Sequence, residues 1–156
     1  MLTYGLTIIR QIHKYEKSLI KSIFLKTHGR FHSDSKRFFM NRSNILLVAF
    51  HNNIPCGFLY AYLLDSLNSN YPKMFLYSID VFDDYKRTGI GTLLVNHLKR
   101  ISRKHNCSEI FVLTNKSNAA AMKFYVSTNG KRENTDDVMF VYSPVSRQSS
   151  HRRNGI

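Results

Sequence analysis

The stretch Leu76-Tyr-Ser-Ile-Asp-Val81, followed by Lys86-Arg-Thr-Gly-Ile-Gly-Thr92, decides the fold of this chain. The first run is apolar and typical of a strand; the second is a basic turn with two glycines, after which the spacing predicts an amphipathic helix over Leu93 to Lys104. A strand that runs straight into a helix leaves the first helical N–H groups, and the positive end of the helix dipole, facing any ligand in front. Glycine lets a ligand approach the backbone closely. The stretch therefore indicates a phosphate site.

Two common phosphate motifs are excluded. The P-loop requires Lys-Ser or Lys-Thr after its last glycine, whereas Gly91 precedes Thr92 and Leu93. The dinucleotide fingerprint requires a third glycine three residues after the second, and position 94 is Leu. A Gly-x-Gly after a strand is often only a tight turn, and on this spacing alone that alternative stays open.

A second cluster, Asn118-Ala-Ala-Ala-Met-Lys-Phe-Tyr125, has the pattern of a helix with Asn118 as its N-terminal cap. Asn118, Ala121 or Met122, and Tyr125 recur at helical spacing and share one face. The three alanines allow another segment or a ligand to pack closely against that face. The two clusters follow each other with a helix and a strand between them.

From about Tyr77 to about Gly130 the chain resembles the acetyl-coenzyme A binding half of the GNAT family of N-acetyltransferases. The matches are Lys86-Arg-Thr-Gly89-Ile-Gly91, and Asn118 with Ala121 and Phe124-Tyr125. Two positions depart from the family pattern: Lys86 stands where Arg or Gln is usual, and Asn129-Gly130-Lys131 replaces a Gly-Phe helix end. The resemblance implies a single α/β (α+β) GNAT domain over residues 1–144. It also implies a mixed, mostly antiparallel central sheet flanked by helices, with strands 4 and 5 splayed apart. The polar, basic composition of residues 145–156 predicts a disordered tail.

The local patterns predict this element order along the chain. We expect a strand over Tyr4 to Ile12, a helix over Lys14 to Leu25, a short helix over Lys36 to Met40, a hairpin of Ile45 to Phe50 and Ile54 to Leu64, a central strand over Met74 to Val81, a short strand over Ile110 to Leu113, and a last strand over Val138 to Tyr142.

The resemblance implies acetyl-coenzyme A as the co-substrate and no metal. Backbone groups near Ile79 and Val81 would bond the pantetheine arm and polarise the thioester carbonyl, Asn118 would also bond the arm, and Tyr125 would protonate the departing thiolate. A core tyrosine with a satisfied hydroxyl is the alternative for Tyr125. The diphosphate would lie on the glycine motif: Lys86, Arg87, Thr88, Gly89, Ile90, Gly91 and Thr92.

The attacking amine must lose a proton, directly or through water. The candidates for the base are Asp80, Ser78 as a holder of water, and Asp136 or Asp137 near the predicted last strand. Asp80 has an alternative role, turned away from the site and paired with a surface lysine. Ser78, Asp136 and Asp137 are also the candidate acceptor-binding residues.

The net charge is +13 and there are two cysteines, Cys56 and Cys107. The cysteine count predicts neither a disulfide framework nor a zinc cluster, and it favours the cytoplasm. No membrane partner is expected, because no apolar run is long enough to span a bilayer. His28 and His32 lack the glutamate and the third ligand of a metal site.

We therefore expect acetyl transfer to a primary amine on a small molecule or a protein. A homodimer is compatible with this function. One alternative is aminoglycoside 3-N-acetylation, because Tyr77 to Val81 and Asp137 to Phe140 resemble the small enzymes of that type; drug-dependent thiol release discriminates it. The other is a basic, non-catalytic module on ribosomal or nucleic-acid surfaces. That alternative predicts an affinity that falls steeply with salt and indifference to coenzyme A. We do not expect a nucleic-acid partner, because no basic-aromatic motif is present.

Overall fold

A computed structural model describes residues 6–28, 33–133 and 139–142. In this part of the chain one five-stranded sheet has the order β1-β2-β3-β4-β5. Neighbouring strands are antiparallel except β4 and β5, which are parallel. The mixed, mostly antiparallel sheet is the predicted one. The strands are β1 Thr7–Gln11, β2 Asn44–His51, β3 Ile54–Leu64, β4 Lys73–Val81 and β5 Glu109–Val112.

Helices pack on both faces of the sheet. The α-helices are α1 Lys17–His28, α2 Ile90–Lys104 and α3 Ala119–Ser127, and 3₁₀ helices cover Ser33–Met40 and Asp83–Tyr85. Leu94, Leu98 and Ile101 of α2 are buried in one hydrophobic cluster against the sheet, as the helical spacing predicts. Ile20 and Ile23 of α1 are buried in a second cluster on the opposite face. No helix in the described ranges is long and apolar enough to cross a membrane.

The parallel pair β4 and β5 separates part-way along its length. Lys73 to Leu76 pair with Glu109 to Val112, and β4 then continues to Val81 without a β5 partner. On its other side β4 pairs with β3 throughout, apart from a bulge: Tyr60 lies opposite Ser78 and Ala61 lies opposite Leu76, which leaves Tyr77 as the extra residue. The predicted splay therefore begins at Tyr77.

The hairpin prediction is confirmed, because Asn52 and Asn53 both adopt positive φ, 50° and 64°, between β2 and β3. The last predicted strand is wrong for residues 139–142. These residues form no strand, and their side chains are 75 to 87% exposed. Alternation of apolar residues is a local signal, whereas a strand also needs a neighbouring backbone to pair with. Val138, Asp136, Asp137 and the predicted tail lie outside the described residues.

Candidate active site

The turn between β4 and α2 presents a helix N-terminus without a side-chain cap. Gly89 is the N-cap residue and adopts a left-handed conformation with φ of 87°, and no side chain accepts from the first amides of α2. The first N–H group of α2 that donates within the helix is that of Leu93, which bonds to Gly89 C=O at 3.0 Å. The N–H groups of Ile90, Gly91 and Thr92 therefore have no acceptor inside the helix. The first turn holds no acidic residue. These amides are arranged to receive an anion.

Gly89 also leaves the space in front of the helix open. A Cβ built at this position would meet no heavy atom within 4 Å. The glycine is therefore required by the backbone conformation and not by a neighbouring side chain. The helix begins at Ile90, earlier than the predicted Leu93, because the left-handed residue before it sets the start of the helix.

Positive charge lies directly before this helix. Arg87 is exposed and adopts a left-handed φ of 62°. Lys86 Nζ pairs with the Asp83 carboxylate three residues earlier at 2.5 Å, and that hydrogen bond raises the pKa of Lys86. Both partners are exposed, so the pair stabilises the fold little and Lys86 can exchange Asp83 for a phosphate oxygen at low cost.

The free edge of β4 presents the backbone groups of Ile79 and Val81. Phe82 N–H donates to Cys56 C=O on β3 at 3.0 Å. Because amide directions alternate along a strand, the N–H groups of Val81 and Ile79 point away from β3, toward the space that β5 has left. The structure therefore brings the edge amides predicted for the thioester next to the uncapped helix.

The second motif lies on α3. Asn118 is its N-cap, as predicted: Asn118 Oδ1 accepts from Ala121 N–H at 3.1 Å. This bond occupies the carbonyl oxygen of the side chain and leaves its Nδ2 amino group to donate elsewhere. Two turns later, Phe124 packs on α2, because a Cβ at Gly91 would lie 3.0 Å from Phe124 Cε2.

Tyr125 follows Phe124 and is partly buried. Its ring contacts the Phe124 ring with centroids 5.3 Å apart, and burial raises the pKa of its phenol. No hydrogen bond satisfies its hydroxyl anywhere in residues 6–28, 33–133 and 139–142, unlike a core tyrosine with a paired O–H. Tyr125 therefore remains protonated at neutral pH and keeps its proton available.

Ser78 and Asp80 lie on the face of β4 that is turned away from α2. They pair opposite Tyr60 and Phe58 of β3, whose rings stack on each other at 6.3 Å. Residues directly opposite in antiparallel strands share a face, so Ser78 and Asp80 project on the same side as these two rings. The Asp80 side chain makes no salt bridge and no hydrogen bond within the described part of the chain, and its charge adds to the rise in the pKa of Lys86. Asp80 therefore interacts with the exposed Lys86 at longer range, without a direct ion pair.

Sequence reasoning missed a group of aromatic side chains on that same face. They are Tyr60 and Tyr62 of β3, Phe75 and Tyr77 of β4, and Phe111 of β5. Aromatic residues at alternate positions of two adjacent strands are a signal that could have found them. The register that joins them, including the bulge at Tyr77, is visible only in the paired sheet.

A groove elsewhere contains none of these residues. It has a volume of about 570 Å³, lies between β1 and α2, and is lined by Ile8, Leu93, His97, Arg100 and neighbouring side chains. Burial and the adjacent Arg100 lower the pKa of His97. Within the described residues no group of three or more His, Cys, Asp or Glu side chains could hold a metal ion.

Comparison with known protein families shows which family this chain belongs to. The model of the acetyltransferase (GNAT) family matches residues 13–130, which include both motifs. The chain belongs to the GNAT acetyltransferase family. No curated protein matches this chain at a significant level.

Three solved acetyltransferase structures have the same fold. An aminoglycoside acetyltransferase from an uncultured soil metagenomic sample, in complex with sisomicin, is 23% identical with a TM-score of 0.78, over 88% of this chain and 95% of that one. Aminoglycoside N-acetyltransferase AAC(6′)-Iy in complex with CoA is 18% identical with a TM-score of 0.74, over 93% and 99%. A ribosomal-protein-alanine N-acetyltransferase from Brucella melitensis biovar Abortus 2308 is 14% identical with a TM-score of 0.73, over 87% and 99%. At these identities the likeness establishes the fold, and the acceptor is a separate question.

Proposed function

We propose that this chain transfers an acetyl group from acetyl-coenzyme A to a primary amine by direct attack in a ternary complex. The observation that carries the proposal is the combination of an uncapped α2 N-terminus at Gly89 with a free β4 edge at Ile79 and Val81. The membership of the family and the CoA complex of a structural neighbour agree with it.

The residues of the glycine motif suit the diphosphate. The uncapped amides of Ile90, Gly91 and Thr92 donate to anionic oxygens, and the backbone of Arg87, Thr88 and Gly89 continues this surface. The side chains of Lys86 and Arg87 add two positive charges at its edge. Asn118 Nδ2 donates to the pantetheine arm, since Oδ1 is already used as the cap of α3.

Acetyl-coenzyme A supplies the thioester whose acyl carbon the amine attacks. The N–H groups of Ile79 and Val81 donate to the carbonyl oxygen, where negative charge develops; one such donor contributes about 10² to 10³ in rate. The C–N bond forms as the C–S bond breaks, and the Tyr125 hydroxyl gives its proton to the sulfur.

The proton released by the amine goes to a carboxylate. Asp80 is the candidate for this base, directly or through a water molecule held by Ser78, because both side chains project from β4 beside the free edge. Asp136 and Asp137 remain candidates for acceptor binding, on the sequence alone.

Aminoglycosides are the second candidate acceptors, favoured by the fold shared with the sisomicin-bound enzyme. The net charge of +13 opposes this candidate, since a basic protein repels a polycation over long range unless its pocket is locally acidic. A protein amine is a further acceptor class, since the alanine N-acetyltransferase of Brucella shares the fold.

The proposal is tested by incubating the chain with acetyl-coenzyme A and a panel of amines, an alanine-terminated peptide and kanamycin. Release of free thiol and mass spectrometry of the acceptor are measured together. Amine-dependent thiol release matched by acetylated acceptor is expected. Thiol release no faster than hydrolysis with every member of the panel would contradict the proposal.

A further inference from the structure

The sheet face opposite α2 carries a continuous aromatic surface, which we call the aromatic face: Tyr60, Tyr62, Phe75, Tyr77 and Phe111. Tyr77 contacts three of the other rings, with centroids 5.2 Å from Tyr60, 5.5 Å from Tyr62 and 5.5 Å from Phe75. Phe75 and Phe111 stack across the parallel pair at 4.8 Å and 6°. The five rings therefore form one cluster on strands β3, β4 and β5. Phe38 packs edge-on against Tyr60 and Tyr62 at 5.9 and 6.0 Å, and Tyr77 is the exposed ring of the five.

The aromatic face adjoins the place where the acyl group is expected. Tyr77 is the bulged residue of β4, immediately after Leu76, the last residue that pairs with β5. Its side chain is 56% exposed, although it contacts three rings. A molecule that lies on this ring therefore reaches the opening between the two strands.

The aromatic face carries few carboxylates. Among the carboxylates with described side chains, Asp80 and Glu109 share this face, and Glu109 Oε1 pairs with Lys73 Nζ at 2.7 Å at its far end. Asp80 is therefore the carboxylate near the opening without a direct ion pair, and the charge nearest to it that the structure identifies is the exposed Lys86. One carboxylate matches one ammonium group, whereas a polycationic acceptor requires several.

The hydroxyls of Tyr60 and Tyr62 remain neutral. Burial raises the pKa of Tyr60 to about 12, and the neighbouring phenols of Tyr62 and Tyr77 add to that rise. Burial raises the pKa of Tyr62 as well. The phenols of Tyr60 and Tyr62 thus stay protonated over the physiological range and present ring surfaces and hydroxyl donors.

We infer that the acceptor is a monoamine with an aromatic body, which the aromatic face binds by ring contacts while Asp80 receives its single ammonium group. This inference rests on the proposed acetyl transfer. Aromatic rings attract one another in offset-stacked and edge-to-face arrangements, and an ammonium group is attracted to a ring face. The ammonium gives one proton to Asp80, and the neutral nitrogen attacks the acyl carbon. As the C–S bond breaks, the sulfur takes the Tyr125 proton, and the second proton lost by the nitrogen restores the Tyr125 hydroxyl.

Tryptamine is the probe for a direct binding test, because the chain has no tryptophan and indole emission therefore reports tryptamine alone. Its fluorescence anisotropy is measured against increasing concentrations of the full chain, with coenzyme A present. Saturable binding is expected in the wild type. Tyr77→Leu should weaken it about tenfold, and Tyr77→Phe, which keeps the ring, should change it about twofold or less.

Tyr71→Leu is the matched control, since Tyr71 is 58% exposed and precedes β4 at the end away from the opening. Its binding should equal that of the wild type. Unchanged tryptamine anisotropy in the wild type, including the case in which a second copy of the chain covers the face, would overturn the inference. Equal weakening by Tyr77→Leu and Tyr71→Leu would do the same.

Turnover separates this inference from the transferase proposal. Tryptamine should be acetylated with a higher kcat/KM than butylamine or kanamycin, and Tyr77→Leu should raise the KM for tryptamine with little change in kcat. Acetylation that favours kanamycin would overturn the aromatic acceptor and leave the transferase intact. Tryptamine binding without acetylation of any amine would support the aromatic face and contradict acetyl transfer.

Discussion

Phe124 and Gly91 are in direct contact: a Cβ at position 91 would approach Phe124 Cε2 to 3.0 Å and Cζ to 3.2 Å. The contact joins the first turn of α2 to the last turns of α3, and so joins the glycine motif to the Asn118 motif. The absent side chain at Gly91 lets the ring of Phe124 sit against the helix backbone. Tyr125, the next residue, is positioned by this packing.

Replacing Gly91 with leucine should therefore destabilise the chain by about 1 to 3 kcal/mol, since the new side chain overpacks against Phe124. It should also weaken acetyl-coenzyme A binding, because α3 must move away from α2. Urea unfolding and calorimetry measure the two effects. Phe124→Leu combined with Gly91→Leu should recover part of the stability, and additive losses in the double variant would show that the two residues do not interact.

Gly89→Ala should cost about 1 kcal/mol of stability through its left-handed backbone, since no neighbouring atom would clash with the new methyl group. It should also lower the affinity for acetyl-coenzyme A, because the strained backbone displaces the amides of the first turn. Asn106→Ala is the control: Asn106 also has positive φ, 52°, just beyond the other end of α2. An equal loss of acetyl-coenzyme A affinity in both variants would show that general destabilisation of the fold, and not displacement of the first-turn amides, causes it.

Asn118 combines two roles that substitutions can separate. Asn118→Ala should cost about 1 kcal/mol of stability by removing the cap on Ala121 N–H. Asn118→Ser keeps a capping oxygen but loses the Nδ2 donor, so it should retain stability and bind acetyl-coenzyme A more weakly. Thermal unfolding and calorimetry give the comparison. Unchanged acetyl-coenzyme A affinity in Asn118→Ser would show that Asn118 Nδ2 does not bind the pantetheine arm.

Tyr125→Phe should lower turnover about 10²-fold while leaving acetyl-coenzyme A affinity nearly unchanged, because the hydroxyl acts only on the departing sulfur. Stability should change little, since that hydroxyl has no partner in the described residues. Burial raises the pKa of the Tyr125 phenol, so the hydroxyl is protonated at neutral pH. It is lost as an acid only when the pH rises through that raised pKa. The wild-type rate should thus show no loss from Tyr125 ionisation at neutral or mildly alkaline pH, below the range in which an ordinary tyrosine ionises. Equal turnover in Tyr125→Phe would exclude it from the mechanism.

Sequence patterns were sufficient for the parts of the site that depend on local chemistry. Gly89 and Asn118 could be predicted because a left-handed turn and a helix cap are each specified within a few residues. The hairpin could be predicted for the same reason, because the adjacent Asn52 and Asn53 lie between two apolar runs. Roles for these residues in binding and catalysis stay predictions.

The remaining features depend on contacts between distant segments. The contact between Gly91 and Phe124 joins two helices, and the bulge at Tyr77 depends on the register of β4 against β3. No local pattern specifies either. The strand predicted at residues 139–142 failed for the converse reason, because a suitable apolar run had no paired strand beside it.

The most direct measurement is a calorimetric titration of acetyl-coenzyme A and of acetyl-pantetheine, which lacks the diphosphate, into the same preparation of the chain. Binding through the amides at the start of α2 predicts one saturable site for acetyl-coenzyme A and at least about tenfold weaker binding of acetyl-pantetheine. Equal affinity for the two compounds, or no binding of acetyl-coenzyme A, would contradict the assignment of Gly89 and its neighbours to the diphosphate.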